Sequence, residues 1–340
     1  MLFLHYYSKF RPSHKLTLHY NDFYVFKHYG KLDLTKLRGS IMALEITNIT
    51  KVFGEQTAVN SININVPAGS MYGFLGGNGA GKTTTFRMIL KLLTPTSGSI
   101  LYNGETIGYH MTDKIGYLPE ERGLHPKLKV SEQVLYLAEL KGMSKKDANK
   151  ALDYWLERFK VTENKFKKIE KLSKGNQQKI QLIASIIHNP ELIILDEPFS
   201  GLDPINVELL KDAVKELNAQ GSTIIFSTHR MEHVEELCEE LCILDRGKQI
   251  VSGNIDQIKK DFGQKEVIIE GEHDISFVKD MPGVLDMKQV RNKSVIKISE
   301  EKYAEDIYNR ITDIGYFKRF QVNEPSLNDI FIAKVGRDYE

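Results

Sequence analysis

From Met42 onward, short apolar runs alternate with longer amphipathic ones, and glycine, proline or acidic residues punctuate the joints. The opening MALEITNITKVFG sets Leu44, Ile46 and Ile49 at apolar positions and reads as a first strand. Five further runs are too apolar for strands with one wet face: MYGFLGG (71–77), KIGYLPE (114–120), ELIILDEP (191–198), STIIFSTH (222–229) and LCILDRG (241–247). Strands of that kind are buried on both faces, which predicts a largely parallel sheet covered by helices. Residues 131–160 carry Val134, Leu135, Leu137 and Leu140, then Ala151, Leu152, Trp155 and Leu156, and are expected to be helical. The charged, glycine-containing stretch 259–264 reads as a linker. Beyond it the texture becomes that of a small α+β unit. The expected order is strand VIIEG, a helix around 275–278, two strands broken at Arg291-Asn292-Lys293, a helix at 302–314, a strand at 316–322 and a closing helix from Ser326.

Composition narrows the class. The 340 residues are 41% hydrophobic and 27% charged, enough for a buried core and a solvated surface. A net charge of +1 argues against bulk polyanion binding, and two cysteines exclude a disulfide framework. No uninterrupted apolar run reaches the roughly 18 residues of a membrane-spanning helix. Residues 1–41 differ from the rest: they hold nine aromatics, four histidines and a charge of +5, leaving −4 for the remainder. They read as a disordered leader or a mis-assigned start, since Met42 opens the first strand; the alternative is a basic-aromatic arm that touches membrane or nucleic acid.

The clearest chemistry lies in Gly76, Gly77, Asn78, Gly79, Ala80, Gly81, Lys82, Thr83 and Thr84, a GxxxxGK[ST] loop between an apolar strand and the helical run TTTFRMILKLL. Glycines let backbone N–H groups curl around phosphates, and the helix N-terminus adds partial positive charge. Lys82 can reach the β- and γ-phosphates, and the Thr83 hydroxyl can ligate Mg²⁺. The acidic partner closes ELIILDEP: Asp196 holds the metal through water, and Glu197 faces the attacking water as general base. Cys238 and Cys242 stand four apart, on one face if ELCEELC is helical, and two thiols alone read as buried and reduced. The run Glu235, Glu236, Glu239 and Glu240 reads as a solvated helix face.

With these motifs in order, the stretch from Leu44 to Asp261 resembles the ATP-binding-cassette (ABC) nucleotide-binding domain. That resemblance implies an α/β fold of the P-loop NTPase kind, a mixed sheet with helices and a helical subdomain, followed here by a small α+β domain. The implied boundaries are 1–41 for the leader, 42–262 for the cassette and 265–340 for the accessory domain. Phe53 falls where the family places an aromatic on adenine. Leu172-Ser173-Lys174-Gly175-Asn176-Gln177 matches the signature LSGGQ loosely, departing at Lys174 and Asn176 but keeping Ser173 and Gly175, the positions that contact the γ-phosphate across a dimer. Asp203, in Ser200-Gly201-Leu202-Asp203, looks like part of the loop between two ATP sites, and His229 looks like the switch histidine. The loop that usually supplies a glutamine reads Tyr117-Leu118-Pro119-Glu120, so Glu120 is expected to contact metal or water through a carboxylate. YLPEERGL and the C-terminal EPSLNDIFI are similar to export-type cassettes, whose accessory domain is regulatory, dimer-stabilising or merely a packing module.

The resemblance implies an ATPase using ATP and Mg²⁺ as the subunit of a membrane exporter. It pairs with a second ATP-binding subunit as homo- or heterodimer and recruits a separate integral membrane permease at the surface near Glu120–Leu124 and the helical insert that follows, from the cytoplasmic face of the membrane. No specific nucleic acid is expected. A soluble ATPase acting on nucleic acid or ribosomes is the rival. Only 89 residues separate Lys82 from Leu172, too few for a long coiled-coil insert, and the chain holds one cassette. A non-hydrolysing regulatory subunit is the third reading, left open by Glu120 and the altered signature.

Overall fold

The computed structural model describes residues 42–121 and 123–335, and the expectations for residues 1–41 lie outside them. β1 (Met42–Phe53) and β2 (Gln56–Pro67) pair as an antiparallel hairpin. Along β2 the buried Ile62, Ile64 and Val66 alternate with outward polar residues, as a half-buried strand requires, and Val59 joins them across a break in register. β4 (Ser97–Tyr102) flanks β1 on its other side and β5 (Glu105–Thr106) follows, giving a sheet in the order β2-β1-β4-β5.

The second sheet carries the apolar runs. β3 (Met71–Leu75), β6 (Ile115–Leu118), β7 (Leu192–Asp196), β8 (Thr223–Thr228) and β9 (Glu240–Asp245) run parallel. β10 (Lys248–Asn254) joins the edge antiparallel to β9, and the order is β10-β9-β3-β8-β7-β6. Side chains of β7 alternate between two cores, Leu192 and Ile194 on one face and Ile193 and Leu195 on the other. Burial on both faces explains why these runs contain no polar alternation.

Helices follow the crossovers. α1 (Lys82–Ile89) follows β3; α2 (Val130–Leu140), α3 (Lys145–Arg158) and α4 (Lys174–Ile186) form the helical insert between β6 and β7. α5 (Pro204–Ala219), α6 (Met231–Leu237) and α7 (Ile255–Phe262) complete this part. Pairing in the sheet brings strand ends to one edge: Leu75 lies opposite Thr228, Asp196 opposite Ser227, and Leu118 opposite Leu195. The loops carrying chemistry therefore leave the sheet side by side, at the carboxyl ends where α/β sheets bind ligands.

A third, antiparallel sheet follows, β12-β13-β11-β14, from β11 (Lys265–Glu270), β12 (Val284–Val290), β13 (Lys293–Ile298) and β14 (Arg319–Asn323). α8 (Lys302–Thr312) covers one face through Ala304, Ile307 and Ile311, which join Val267, Ile269, Ile296 and Ile298 in a separate small core. α9 (Leu327–Val335) leaves that core and buries Leu327 and Ile330 in the core of the large α/β part.

Two expectations fail locally. Residues 259–262 are not linker but the last turn of α7: the Asn254 side chain caps its start by accepting from Gln257 N, and Gly263 at φ 75° ends it. ELCEELC is not one helix either. α6 stops at Leu237 and Cys242 lies in β9, so the two buried thiols join different cores, Cys238 with the helices and Cys242 on the opposite sheet face. Both are free, and burial pushes both thiols well up, as the reading of inert cysteines expects.

Candidate functional site

The glycine-rich loop joins β3 to α1, and Gly81 caps the helix at φ 104°. A Cβ there would come within 2.8 Å of the Ala58 carbonyl, so only glycine permits this approach. Lys82 is buried and turns back over the loop, its ammonium donating to the carbonyls of Gly76 (2.7 Å) and Gly77 (3.2 Å). The same nitrogen lies 3.6 Å from Glu197 Oε1. Next to it the Thr83 hydroxyl donates to Asp196 Oδ2 at 2.7 Å.

Register builds the acidic corner. Because Asp196 pairs with Ser227 across β7 and β8, the Ser227 hydroxyl donates to Asp196 Oδ1 and accepts from the Glu197 N–H at 2.9 Å. Asp196 and Ser227 have no solvent exposure, so this relay satisfies polar groups that would otherwise be costly. Glu197 stands at φ 48°, a left-handed conformation that a non-glycine residue holds only when its surroundings enforce it. From there its carboxylate reaches His229 Nδ1 at 3.1 and 3.2 Å, the imidazole itself being about half exposed. Burial, reinforced by the charge of Asp196, pushes the neighbouring Tyr117 phenol up to about 12.

A cleft of about 380 Å³ gathers Gly77, Asn78, Gly79, Ala80, Gly81, Lys82, Thr83, Thr84, Glu120, Asp196 and Glu197. Gly76 forms the base of the loop through its carbonyl bond to Lys82. Four further residues line the cleft that no motif marked: Gln56, Thr57, Ala58 and Arg246. Their only sequence signals are polar residues opening β2 and an Asp245-Arg246-Gly247 turn some 165 residues beyond the loop. Phe53 does not line the cleft. It stands exposed at the end of β1, with the Lys51 ammonium 4.9 Å from its ring centroid. Ser173, Gly175 and Asp203 also lie outside the cleft. Ser173 caps α4 by accepting from Asn176 N at 3.3 Å, and Asp203 caps α5 by accepting from Asn206 N at 3.0 Å, which holds its carboxyl below the usual range. An ideal Cβ on Gly175 would touch Asn206 and Leu202, so the signature and the Asp203 loop are neighbours. A second depression, lined by Glu120, Lys174, Glu197, Ser200 and Gly201 among others, connects them with the cleft.

Among the described residues no three His, Cys, Asp or Glu side chains form a metal cluster. The Thr83 hydroxyl against the Asp196 carboxylate is nonetheless a pair of hard oxygen donors that suits Mg²⁺ delivered with phosphates, an ion that keeps several waters and few protein ligands.

A glycine loop opening a helix, a lysine folded onto it and an acidic pair at the end of β7 define a P-loop nucleotide-binding ATPase. Comparison with known proteins carries this further. Residues 59–200 match the family model "ABC transporter", and residues 253–335 match "ATP-binding protein DrrA1-3-like, C-terminal domain". The chain is 54% identical over 297 residues to the uncharacterized ABC transporter ATP-binding protein YhaQ of Bacillus subtilis (strain 168), covering 87% of this chain and 100% of that one. The linearmycin resistance ATP-binding protein LnrL of the same organism is 32% identical, over 86% of this chain and 98% of its own length. A solved ATP-binding subunit of an ABC transporter superposes with a TM-score of 0.61 at 30% identity, covering 65% of this chain and 93% of that one. The chain belongs to the ABC transporter ATP-binding proteins, which hydrolyse ATP to power transport, and it carries the cassette fold with an additional β-rich C-terminal part. Among the described residues no helix is long and apolar enough to cross a membrane.

Proposed function

We propose that the chain is the ATP-hydrolysing subunit of an exporter, residues 42–262 acting as the cassette and 265–340 as an accessory domain. Two cassettes sandwich two nucleotides head to tail, each site completed by Ser173 and Gly175 of the second subunit. Asp203 lies at the seam between the sites, and Phe53 borders adenine. A separate integral membrane permease docks from the membrane side of the cytoplasm, near 120–124. Support for that docking face comes from an apolar groove beside it, about 640 Å³, where Leu92, Tyr109, Leu137 and Leu140 stand around His188. Export is supported by the similarity to LnrL, whose name records linearmycin resistance.

In this mechanism the loop amides and Lys82 hold the phosphate chain of ATP. Thr83 and Asp196 would hold Mg²⁺, with Glu120 contacting it or a water, and the ion would supply neutralisation of charge on the β- and γ-oxygens. Glu197 takes the proton from the attacking water while its carboxylate is held between Lys82 and His229. His229 and Lys82 offset the charge that spreads over the transferring phosphoryl oxygens.

The observation that carries the reading is the Glu197 carboxylate, fixed by a left-handed backbone and reaching Lys82 on one side and His229 on the other. The test is purification of the tagged full chain and its Glu197→Gln variant from membranes. Turnover of ATP in the variant is expected to fall by about 10²–10⁴-fold, the usual contribution of a general base, and both chains are expected to bring down one protein with predicted spanning helices. Unchanged hydrolysis would remove Glu197 from the role of base, and a chain that elutes alone would remove the permease.

A further inference from the structure

One face of α4 gathers the loops that carry carboxylates to the cleft. Ser185, Gln181 and Gln178 recur at helical spacing along it, and Lys174 continues the stripe at the first position of the helix. The Ser185 hydroxyl donates to the Tyr117 carbonyl at 2.8 Å, and Gln181 Nε2 donates to the carbonyls of Pro119 (3.3 Å) and Glu121 (3.1 Å). Gln178 Nε2 donates to the Pro198 carbonyl at 3.3 Å. Residues 117–121 and the chain just after Glu197 are therefore fastened to the same helix. At its start Lys174 lines, with Glu120, Glu121 and Glu197, a depression of about 480 Å³.

Among the described residues that line this depression, Lys174 is the one cation. Glu197 is already held between Lys82 and His229, which leaves Glu120 and Glu121. Of these two, Glu120 alone also lines the nucleotide cleft. There it brings a negative charge toward phosphates, where an amide would bring none. Lys174 brings a positive charge to a signature position that the LSGGQ pattern fills with glycine. The two departures from the family pattern thus carry opposite charges and share one depression.

We propose that Lys174 is a positioning residue for Glu120. Across the depression its ammonium attracts one carboxylate oxygen, which leaves the other for metal or water and offsets the repulsion between the carboxylate and the γ-phosphate. The inference rests on the reading of the cleft as the ATP site and of Glu120 as a contact within it. It ties the signature helix of a subunit to that subunit's own cleft, a role separate from the contact proposed for Ser173 and Gly175 with the nucleotide of the second subunit.

The experiment is a double-mutant cycle in ATP turnover on the full chain, with Lys174→Gln, Glu120→Gln and the two together. A second cycle replaces Glu120→Gln by Glu121→Gln, and thermal unfolding is followed beside both. Lys174 is exposed, so Lys174→Gln is expected to unfold at the wild-type temperature. Its kcat falls about fivefold at low salt, the upper range for a part-exposed charge pair, with KM for ATP nearly unchanged. The loss shrinks at high salt and is absent in Lys174→Arg, which keeps the charge. With glutamine at 120 the same change at 174 costs less than about twofold, because the carboxylate it would position is gone. An equal loss whichever residue stands at 120 overturns the proposal and places Lys174 on the nucleotide or in the helix alone. Coupling to Glu121→Gln in place of Glu120→Gln overturns it too, by moving the contact out of the cleft, and so does full turnover in Lys174→Gln. Lys82→Ala keeps the two readings apart. Normal turnover in that variant sinks the ATP site itself, whereas loss there beside an additive cycle sinks only the role of Lys174.

Discussion

Asp196, Ser227 and Glu197 sit buried at the ends of β7 and β8, and every bond among them positions an oxygen or an N–H. The attachment of α9 is built the other way. Glu235 accepts from Leu327 N–H at 2.8 Å and from Lys259 at 2.7 Å, and Lys297 pairs with Asp329, yet all four side chains keep some contact with water. What is fully removed from water there is Leu327 and Ile330. Part-exposed ion pairs are worth about 0–1 kcal/mol, whereas a buried leucine is worth several times that. In the acidic corner polar groups set geometry; at the C-terminal contact apolar area holds and the ions orient. The supposed solvated acidic face is therefore partly structural, since Glu235 clasps α9 and Glu236 meets Lys211 and Lys215.

The contrast is tested hardest at Leu327. Leu327→Ala is expected to weaken docking of α9 by about 2–5 kcal/mol, the range for deleting a buried leucine side chain, read as faster hydrogen exchange confined to α9. If Glu235→Gln releases the helix more than this does, ions rather than apolar area hold it. Ser227→Ala has the smaller effect on stability and the more specific one on function. It leaves Asp196 Oδ1 and the Glu197 N–H without the hydroxyl that serves both, costing about 1–3 kcal/mol. ATP turnover should fall with it, because Glu197 loses the bond that fixes its backbone. A variant more stable than wild type with full turnover would mean that the relay does not position the base.

Much of this was legible beforehand because it is local. Residues 76–84 state their own conformation through glycine spacing, and the five apolar runs could be read as buried strands without knowing their neighbours. Asp196 and Glu197 were legible as a strand-end pair. Ser227 was not, because its role follows from sheet register, a relation between residues 31 apart that no local pattern carries. Arg246 was hidden for the same reason, on a turn whose place at the cleft depends on the phosphate loop lying beside it. The boundary at 259–264 was misread because charged Lys259 and Lys260 mask the apolar positions Ile255, Ile258 and Phe262, which face the core. Phe53 is the intermediate case: it does not line the cleft itself but pairs across the β1–β2 hairpin with Gln56, which does.

The finest test of the comparison is acid sensitivity, since the large α/β part and the C-terminal attachment lose stability in different pH windows. His188 lies in the groove proposed for the permease, its Nε2 3.3 Å from the Ile115 carbonyl and its Nδ1 buried without a hydrogen-bond partner. Burial first, and the charge of Lys141 second, lower it to about 4 from an ordinary value of 6.5. As pH falls below about 6.5 the unfolded chain takes up this proton and the folded chain does not, so stability is complete above that pH and declines toward pH 4. His233, against the Phe199 ring, is lowered in the same direction by burial and by Arg230 and Lys211, and contributes a slope of the same sign. Asp329 behaves differently: burial opposes its charge, but hydrogen bonds from Lys297 and Ser326 prevail and hold it below 3.8. Its contribution is present above its unfolded value and is lost only as pH drops below about 4. Between pH 6.5 and 5 the unfolding temperature should therefore fall, and His188→Leu should flatten part of that fall while leaving the share of His233. Parallel profiles for wild type and variant would show that His188 is protonated in the folded protein, and that the groove around it is wet.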